Sequence, residues 1–477
     1  DPVAALYREE FIVRLSTRTD WKSLLSAGAL CAGFALGTSA ALAEVPDPVA
    51  ARLGQDLTPM GSEKAGNADG TIPAWTGGLT TPPAGLGYEV GMHHLNPFGD
   101  EKELFRITRE NMDQYADKLT GTHKALLKDY GDTYFMKVFP THRTCALPEH
   151  VYQANRRNAK VGLLAEGGNG VSQAIMGKPF PIPNNALEII WNHMLGFINH
   201  KATRQFAAAI PTQGGDYTIY TVQDEAIVAW NDPSKKSAEE LDNIWAKYIA
   251  HTVAPARRAG NVTLVHETIN MAKQGRLAWQ YSPGTRRVRR APDIAYDNPG
   301  TNSDGMTTVD SFGGYNGSPD RYNWTVIGKQ EAYVPYNNYD LGSDKLKYED
   351  ILNQRHINQE HSRYELHRVW VIEANLKDGT RHVYQRRRFY LQEDTWNIVA
   401  AELYDTRGQL WRVQEHFPIT AYEVPLCAGI AATYYDLTNG RYLAGGLINE
   451  EPAINFFANE LDENRYTPSA IRRLGIR

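Results

Sequence analysis

Residues 382–396 read HVYQRRRFYLQEDTW. Strand-forming residues flank three consecutive arginines, and QEDT (392–395) has the make-up of a tight turn. Successive side chains on a strand point to opposite faces. Tyr384, Arg386, Arg388 and Tyr390 then share one face, and Val383, Gln385, Arg387, Phe389 and Leu391 the other. Neighbouring segments supply Glu373, Glu402 and Glu415 as cross-strand partners. A solvated Arg–Glu face is the plain expectation, each pair contributing about 0.2–1 kcal/mol. The sharper reading is a cationic rim that steers an anionic headgroup to an apolar cavity, with RRVRR (286–290) as a second basic strand.

The alternation recurs on both sides of this stretch, in 218–230, 276–292, 322–334, 365–376, 396–405 and 409–422. SPGT (282–285), KDGT (377–380) and DTRG (405–408) are short hairpin connections between such runs. Runs of hairpins make an antiparallel meander, not the βαβ alternation of a nucleotide fold. Trp279, Trp324, Trp370, Phe389, Trp396 and Trp411 lie in or beside these strands. They can fill an ordinary core under helices, or line an apolar tunnel that a curved sheet and its helices leave unfilled. On the second reading these six aromatics are the ligand contacts, with Arg286 and Arg388 at the headgroup.

Upstream, Arg14, Arg18 and Lys22 precede the apolar run LLSAGALCAGFAL (24–36), and Ala41-Leu42-Ala43 fits an A-x-A cleavage site. Residues 1–43 are expected to be a cleavable signal peptide, and Leu30 before Cys31 argues against a lipid-anchored form. Residues 44–185 read as Gly/Pro-rich coil followed by helix. Ile72, Trp75 and Leu79 need a surface to cover, and an apolar stripe runs through Ile107, Met112, Tyr115 and Leu119. Residues 186–425 form the sheet and 426–477 an irregular or helical tail, with 44–477 as one structural domain. Cys145 and Cys427 either pair in an oxidising compartment or are two isolated buried thiols.

The chain's 477 residues carry a net charge of only −5, which gives no electrostatic reason to expect nucleic acid. No phosphate loop, dinucleotide fingerprint, nucleophile elbow, zinc-protease helix or C-x-x-C is present. DNPGTNSDGMTTVD (297–310) fails the calcium-loop pattern and reads as a flexible loop or lid. His356, His361 and His367 have spacings that suit surface histidines better than a metal site. Cys145 lies near His142 and Arg143, but no partner base can be named for it. No catalytic residue, metal or cofactor is therefore assigned.

LTPMGSEKAGNADGTIPAWTGG (57–78), NPFGDEKELFRITRENMDQYADKL (96–119), GKPFPIP (177–183), AWQYSPGTRRVRRAP (278–292), DRYNWTVIGKQEAYVPYN (320–337) and DTWNIVAAELYDTRGQLW (394–411) carry a resemblance. They are similar to signature segments of the family called domain of unknown function 1329, described as outer-membrane lipoprotein-sorting-protein-like. The resemblance implies an α+β fold like that of the carriers LolA and LolB, a curved antiparallel half-barrel packed against helices around an acyl-binding cavity. It also implies an exported Gram-negative protein that works beside an outer-membrane β-barrel and an inner-membrane resistance-nodulation-division pump. The chain is about twice as long as a lipoprotein chaperone, which sets a lipoprotein cargo in doubt.

These readings converge on a periplasmic carrier of a hydrophobic molecule moving between the two membranes. The competing readings are a non-catalytic envelope protein that docks a barrel or pump over a filled core, and an envelope hydrolase. Cavity volume discriminates the first two.

Overall fold

Hairpin connections turn the alternating segments into one continuous ladder. The computed structural model describes residues 45–291 and 296–475, and the leader expected over 1–43 lies outside the described residues. In chain order the strands are β1 (Phe105–Ile107), β2 (Met136–Val138), β3 (Leu163–Leu164), β4 (Val171–Ser172), β5 (Lys201–Ala209) and β6 (Ile219–Ile227). They continue as β7 (Ile244–Ala254), β8 (Val262–Thr268), β9 (Leu277–Ser282), β10 (Arg287–Arg290), β11 (Tyr322–Pro335) and β12 (Tyr364–Leu376). The last are β13 (Arg386–Gln392), β14 (Ile398–Tyr404), β15 (Leu410–Ala421), β16 (Leu426–Asp436) and β17 (Arg441–Leu447).

The main sheet runs β1-β2-β12-β13-β14-β15-β16-β17-β5-β6-β7-β8-β9-β10, with β11 also paired to β12, and it does not close into a barrel. Its bulk is two antiparallel meanders, β5–β10 and β11–β17, joined along one seam, and the short β1–β2 pair adds to β12 through a parallel bridge. That seam pairs Ala444 with Ala209 and Leu447 with Ala207, with a register shift between. Gly446 sits there at φ 78°, a conformation that a side chain would strain. A glycine-containing irregularity of this kind lets a sheet bend.

The three arginines divide by face. Arg386 and Arg388 donate to Glu373 at 3.1 and 2.8 Å, and Arg388 stands opposite Glu373 in register. That is the partly solvated face expected from the alternation. Arg387 instead points inward, fully buried, and donates to Asp310 at 2.6 Å among the rings of Tyr315, Tyr384 and Phe389.

The coil before β1 lies over the QEDTW turn. Ser62 Oγ donates to Asp394 at 2.6 Å, Arg143 donates to the same carboxylate at 2.6 and 2.9 Å, and Trp396 Nε1 donates to the Met60 carbonyl at 2.8 Å. Burial alone would push the Asp394 carboxyl up, but Arg143 and Ser62 hold it below the usual carboxylate range. Ile72 and Trp75 are buried in this cover.

Four expectations need correction. Residues 426–447 are not an irregular or helical tail but the hairpin β16–β17, closed by Asn439-Gly440, a hairpin signal in its own right. The stripe through Ile107 and Met112 is not one helix. It is β1 and a 3₁₀ turn, and the α-helix starts only at Gly121, where Thr120 Oγ1 caps the His123 N–H. The loop after β10, expected to be flexible, is tied at several points described below. His356 and His367 are buried rather than at the surface.

Cys145 and Cys427 are joined, their Cα atoms 5.5 Å apart across 282 residues of sequence. The bond ties the coil after β2 to the start of β16. By the loop-closure account, replacing both cysteines with alanine should cost about 3–5 kcal/mol in urea unfolding. An unchanged unfolding midpoint would show that the link contributes nothing to stability.

Candidate functional site

Where the sheet curls, residues of β5–β7 face residues of β14–β16 across empty space. The space is a cavity of about 410 Å³ whose wall includes Ala202, Ala226, Val228, Trp245, Ile398, Pro418, Leu426 and Ala428. A second chamber of about 270 Å³ continues it between β5–β8, β17 and the loop after β10, lined by Phe206, Val222, Val265, Tyr434 and Leu443 among others. Tyr248, Phe312 and Asn316 belong to both walls, so the chambers meet there.

Small residues make the room. Ala202 stands opposite Ala226 in the β5–β6 ladder, and Ala246, Ala428 and Gly429 line the same chamber. Ala208, Ala250, Gly445 and Gly446 do the same in the second. An alanine or glycine at an inward strand position leaves unfilled the volume that a leucine would occupy.

The loop after β10 walls both chambers and is held from both meanders. Asp310 accepts from Arg387 and lies 3.0 Å from His382, and Gly305 O accepts from Arg412 at 2.7 Å. From the other side Arg276 donates to Asn316 O at 2.9 Å, and Asn316 donates to Glu267 at 3.2 Å. Burial would raise the Asp310 carboxyl, but Arg387 and His382 hold it well below the usual range. Phe312, two residues beyond this anchor, is 59% exposed at the junction of the chambers. A large apolar ring left half in water at a cavity mouth is the feature expected of an entrance.

Polar groups in the larger chamber are few and individually held. Arg204 donates to Asp224 at 2.9 Å, and Arg276 donates to Glu267 at 2.8 Å. His193 Nδ1 accepts from the Ile398 N–H at 3.2 Å. Burial, with the charges of Lys178 and His416 adding, pushes His193 down to about 3. Burial also pushes His416 down to about 4, against the opposing effect of Glu415. Both imidazoles are neutral at pH 7, which keeps the chamber's field weak.

The aromatics singled out in the sequence lie elsewhere. Trp324 stacks on Phe389 at 5.9 Å, and Trp370 on Trp396 at 6.1 Å, so the structure brings these four together in two pairs, each a half-buried tryptophan on a buried core ring. Trp279 packs edge-on against His266 beside the C-terminal helix, and Trp411 donates to Asp436 at 3.0 Å. Arg286 is exposed in the β9–β10 turn at φ 53°, and Arg388 is spent on Glu373. None of these eight lines either chamber. The residues that do, such as Trp245, Phe312 and His416, carry no motif. The available signal was the alanine content of KATRQFAAA (201–209), which puts Ala202 and Ala208 on one strand face and Ala207 and Ala209 on the other.

The molecule is thus an α+β protein in which an open, curled antiparallel sheet encloses an apolar cavity. Residues 106–472 match the family described as Protein of unknown function (DUF1329), and the chain belongs to it. It is 45% identical over 460 residues to the uncharacterized protein PA3922 of Pseudomonas aeruginosa, covering 96% of this chain and 99% of that one. A DUF1329 family protein from Desulfovibrio piger superimposes with a TM-score of 0.40 at 13% identity, over 57% of this chain and 92% of that one. A LolA superfamily protein from Nitrosomonas europaea gives 0.37 at 12% identity, over 60% and 98%.

The buried histidines set a pH dependence. Unfolded histidine titrates near 6.5, so between that value and the depressed folded values the unfolded chain binds more protons. Their contribution is complete above about pH 6.5 and falls as pH drops toward 4, by up to about 1.4 kcal/mol per unit for each. His416→Gln should flatten the stability curve between pH 6 and 4.5 by about that slope. Urea titrations at four pH values give the measurement, and parallel curves for the two proteins would contradict it.

Proposed function

We propose that this protein is a carrier that shields an apolar small molecule in the cavity under Phe312 and needs no chemistry to do so. The observation that carries the reading is the paired apolar chambers, whose larger member falls within the range of small-molecule sites. Burial of an apolar ligand there is favourable by about 25 cal/mol per Å² removed from water. A docking protein with a filled interior has no use for such space.

The compartment proposed is the periplasm. The Cys145–Cys427 link supports it, since such bonds persist in oxidising surroundings. No helix among the described residues is long and apolar enough to cross a membrane. On this reading the ligand is a lipid, sterol-like or other apolar compound. Its proposed partners are an outer-membrane β-barrel protein and an inner-membrane resistance-nodulation-division-type pump, the company that the family resemblance implies.

Ala226→Trp tests the reading by filling the larger chamber from β6. Native mass spectrometry of the wild-type protein should show one copurifying or reloaded apolar molecule per chain. The variant should bind the same molecule at least about tenfold more weakly while its secondary structure is unchanged. Equal uptake by both proteins would place the ligand elsewhere and contradict the proposal.

A further inference from the structure

The fold pairs its buried cations with acids: Arg143 with Asp394, Arg276 with Glu267, Arg387 with Asp310, and Arg412 with Asp436. Lys178 breaks the pattern. It is 5% exposed, and its ammonium donates to the Asn192 carbonyl at 2.9 Å with no carboxylate paired to it among the described residues. An ammonium has three donors, so this contact leaves unused capacity in a dry place. Burying such a group without a partner is costly, and buried ionisable groups in unusual surroundings cluster at functional sites.

Its position is fixed from both sides. The Lys178 N–H donates to Asn155 Oδ1 at 2.8 Å, its carbonyl accepts from Asn158 Nδ2 at 3.1 Å, and Pro179 follows. The side chain runs inward to Gly196, where an added Cβ would stand 2.5 Å from Nζ. There it lines a small enclosed chamber of about 40 Å³ together with His193, Asn397 and Cys427. Those last three residues also wall the large apolar cavity, so the lysine lies directly behind it. The space is that of a few water-sized groups, which suits a carboxylate and is small for a phosphodiester or a sugar.

We propose that the ligand carries a carboxylate at one end, and that Lys178 receives this group while the apolar body fills the chamber beside Ala226. The proposal rests on the carrier reading and deepens it. A carboxylate supplies the charge partner that the polypeptide withholds, through a charge-assisted hydrogen bond in a low-dielectric site. Burial without a counter-charge pushes Lys178 down to about 7, so an incoming acid completes the ion pair by favouring the protonated form. His193, held neutral beside it, does not compete for the anion.

Calorimetric titration of the full chain with dodecanoate, methyl dodecanoate and acetate tests this. Dodecanoate should bind about ten- to hundredfold more tightly than its methyl ester. Lys178→Met should lower dodecanoate binding to the ester's level and leave the ester's affinity unchanged. Lys178→Met keeps the length of the side chain and gives up one hydrogen bond, to the Asn192 carbonyl. Gly196→Ala provides a second variant that crowds the ammonium with the lysine retained, and it should also narrow the acid–ester difference. Equal binding of acid and ester by the wild-type protein, or a difference that survives Lys178→Met, would overturn the headgroup assignment and leave the carrier reading intact. Acetate binding as tight as dodecanoate would make this a small-anion site and overturn the proposal of an amphiphile. Failure of acid and ester alike to bind would overturn the proposal of a carboxylate-ended ligand, and the Ala226→Trp comparison then decides separately whether the carrier reading stands.

Discussion

The ion pair between Arg387 and Asp310 is the constraint on which the cavity depends. With Arg412 on the Gly305 carbonyl, it fixes the loop after β10 to the second meander, while Arg276 and Glu267 hold the same loop to the first. Among the described residues, the main-chain ladder joins the two meanders only through the short β17–β5 seam. A loop bonded to both sides therefore acts as a second brace. It holds the curl that brings β6 and β7 opposite β14 and β16. A buried pair of this kind contributes little net stability, but breaking it leaves an uncompensated charge at a cost of about 3–5 kcal/mol. Its effect here is to fix where Phe312 stands.

The cavity itself follows from residue size. Strands whose inward positions carry alanine and glycine cannot fill the space under a curled sheet, whereas those carrying tryptophan and tyrosine can. The protein uses both. Trp324 with Phe389 and Trp370 with Trp396 pack the solid part of the core, and the alanines of β5, β6 and β7 leave the hollow part. The rigid aromatic region next to the hollow one keeps the cavity from collapsing, because close-packed side chains have no cheap rearrangement that would fill it.

Much of the fold was legible in the sequence. The alternation and turn chemistry of 322–334, 365–376 and 409–422 gave strands close to those observed, and Arg386 and Arg388 lie on the salt-bridged face that their spacing implied. Strands β1–β5, β7, β8, β16 and β17 were missed or misassigned. β5 is alanine-rich, and alanine marks a helix as readily as a strand face, so only tertiary pairing decides. The candidate site was less legible. Reading for a ligand wall by its large aromatics found the core, because a core and a cavity wall need the same residue types. Arg387 was placed on the correct face, but its partner lies 77 residues away and has no spacing signal. Lys178 sits in GKPFPIP, which reads only as an extended linker until Asn192 and Gly196 are seen around it.

The central claim is that an apolar chain occupies the space between the two meanders. The most direct measurement is a crystal structure of the protein loaded with a bromine-labelled alkyl ligand, with data collected at the bromine edge. The account predicts an anomalous peak inside the curl of the sheet, between Ala226, Trp245 and Ala428. Bromine found only on the outer surface, or an interior in which those side chains close on one another, would contradict it.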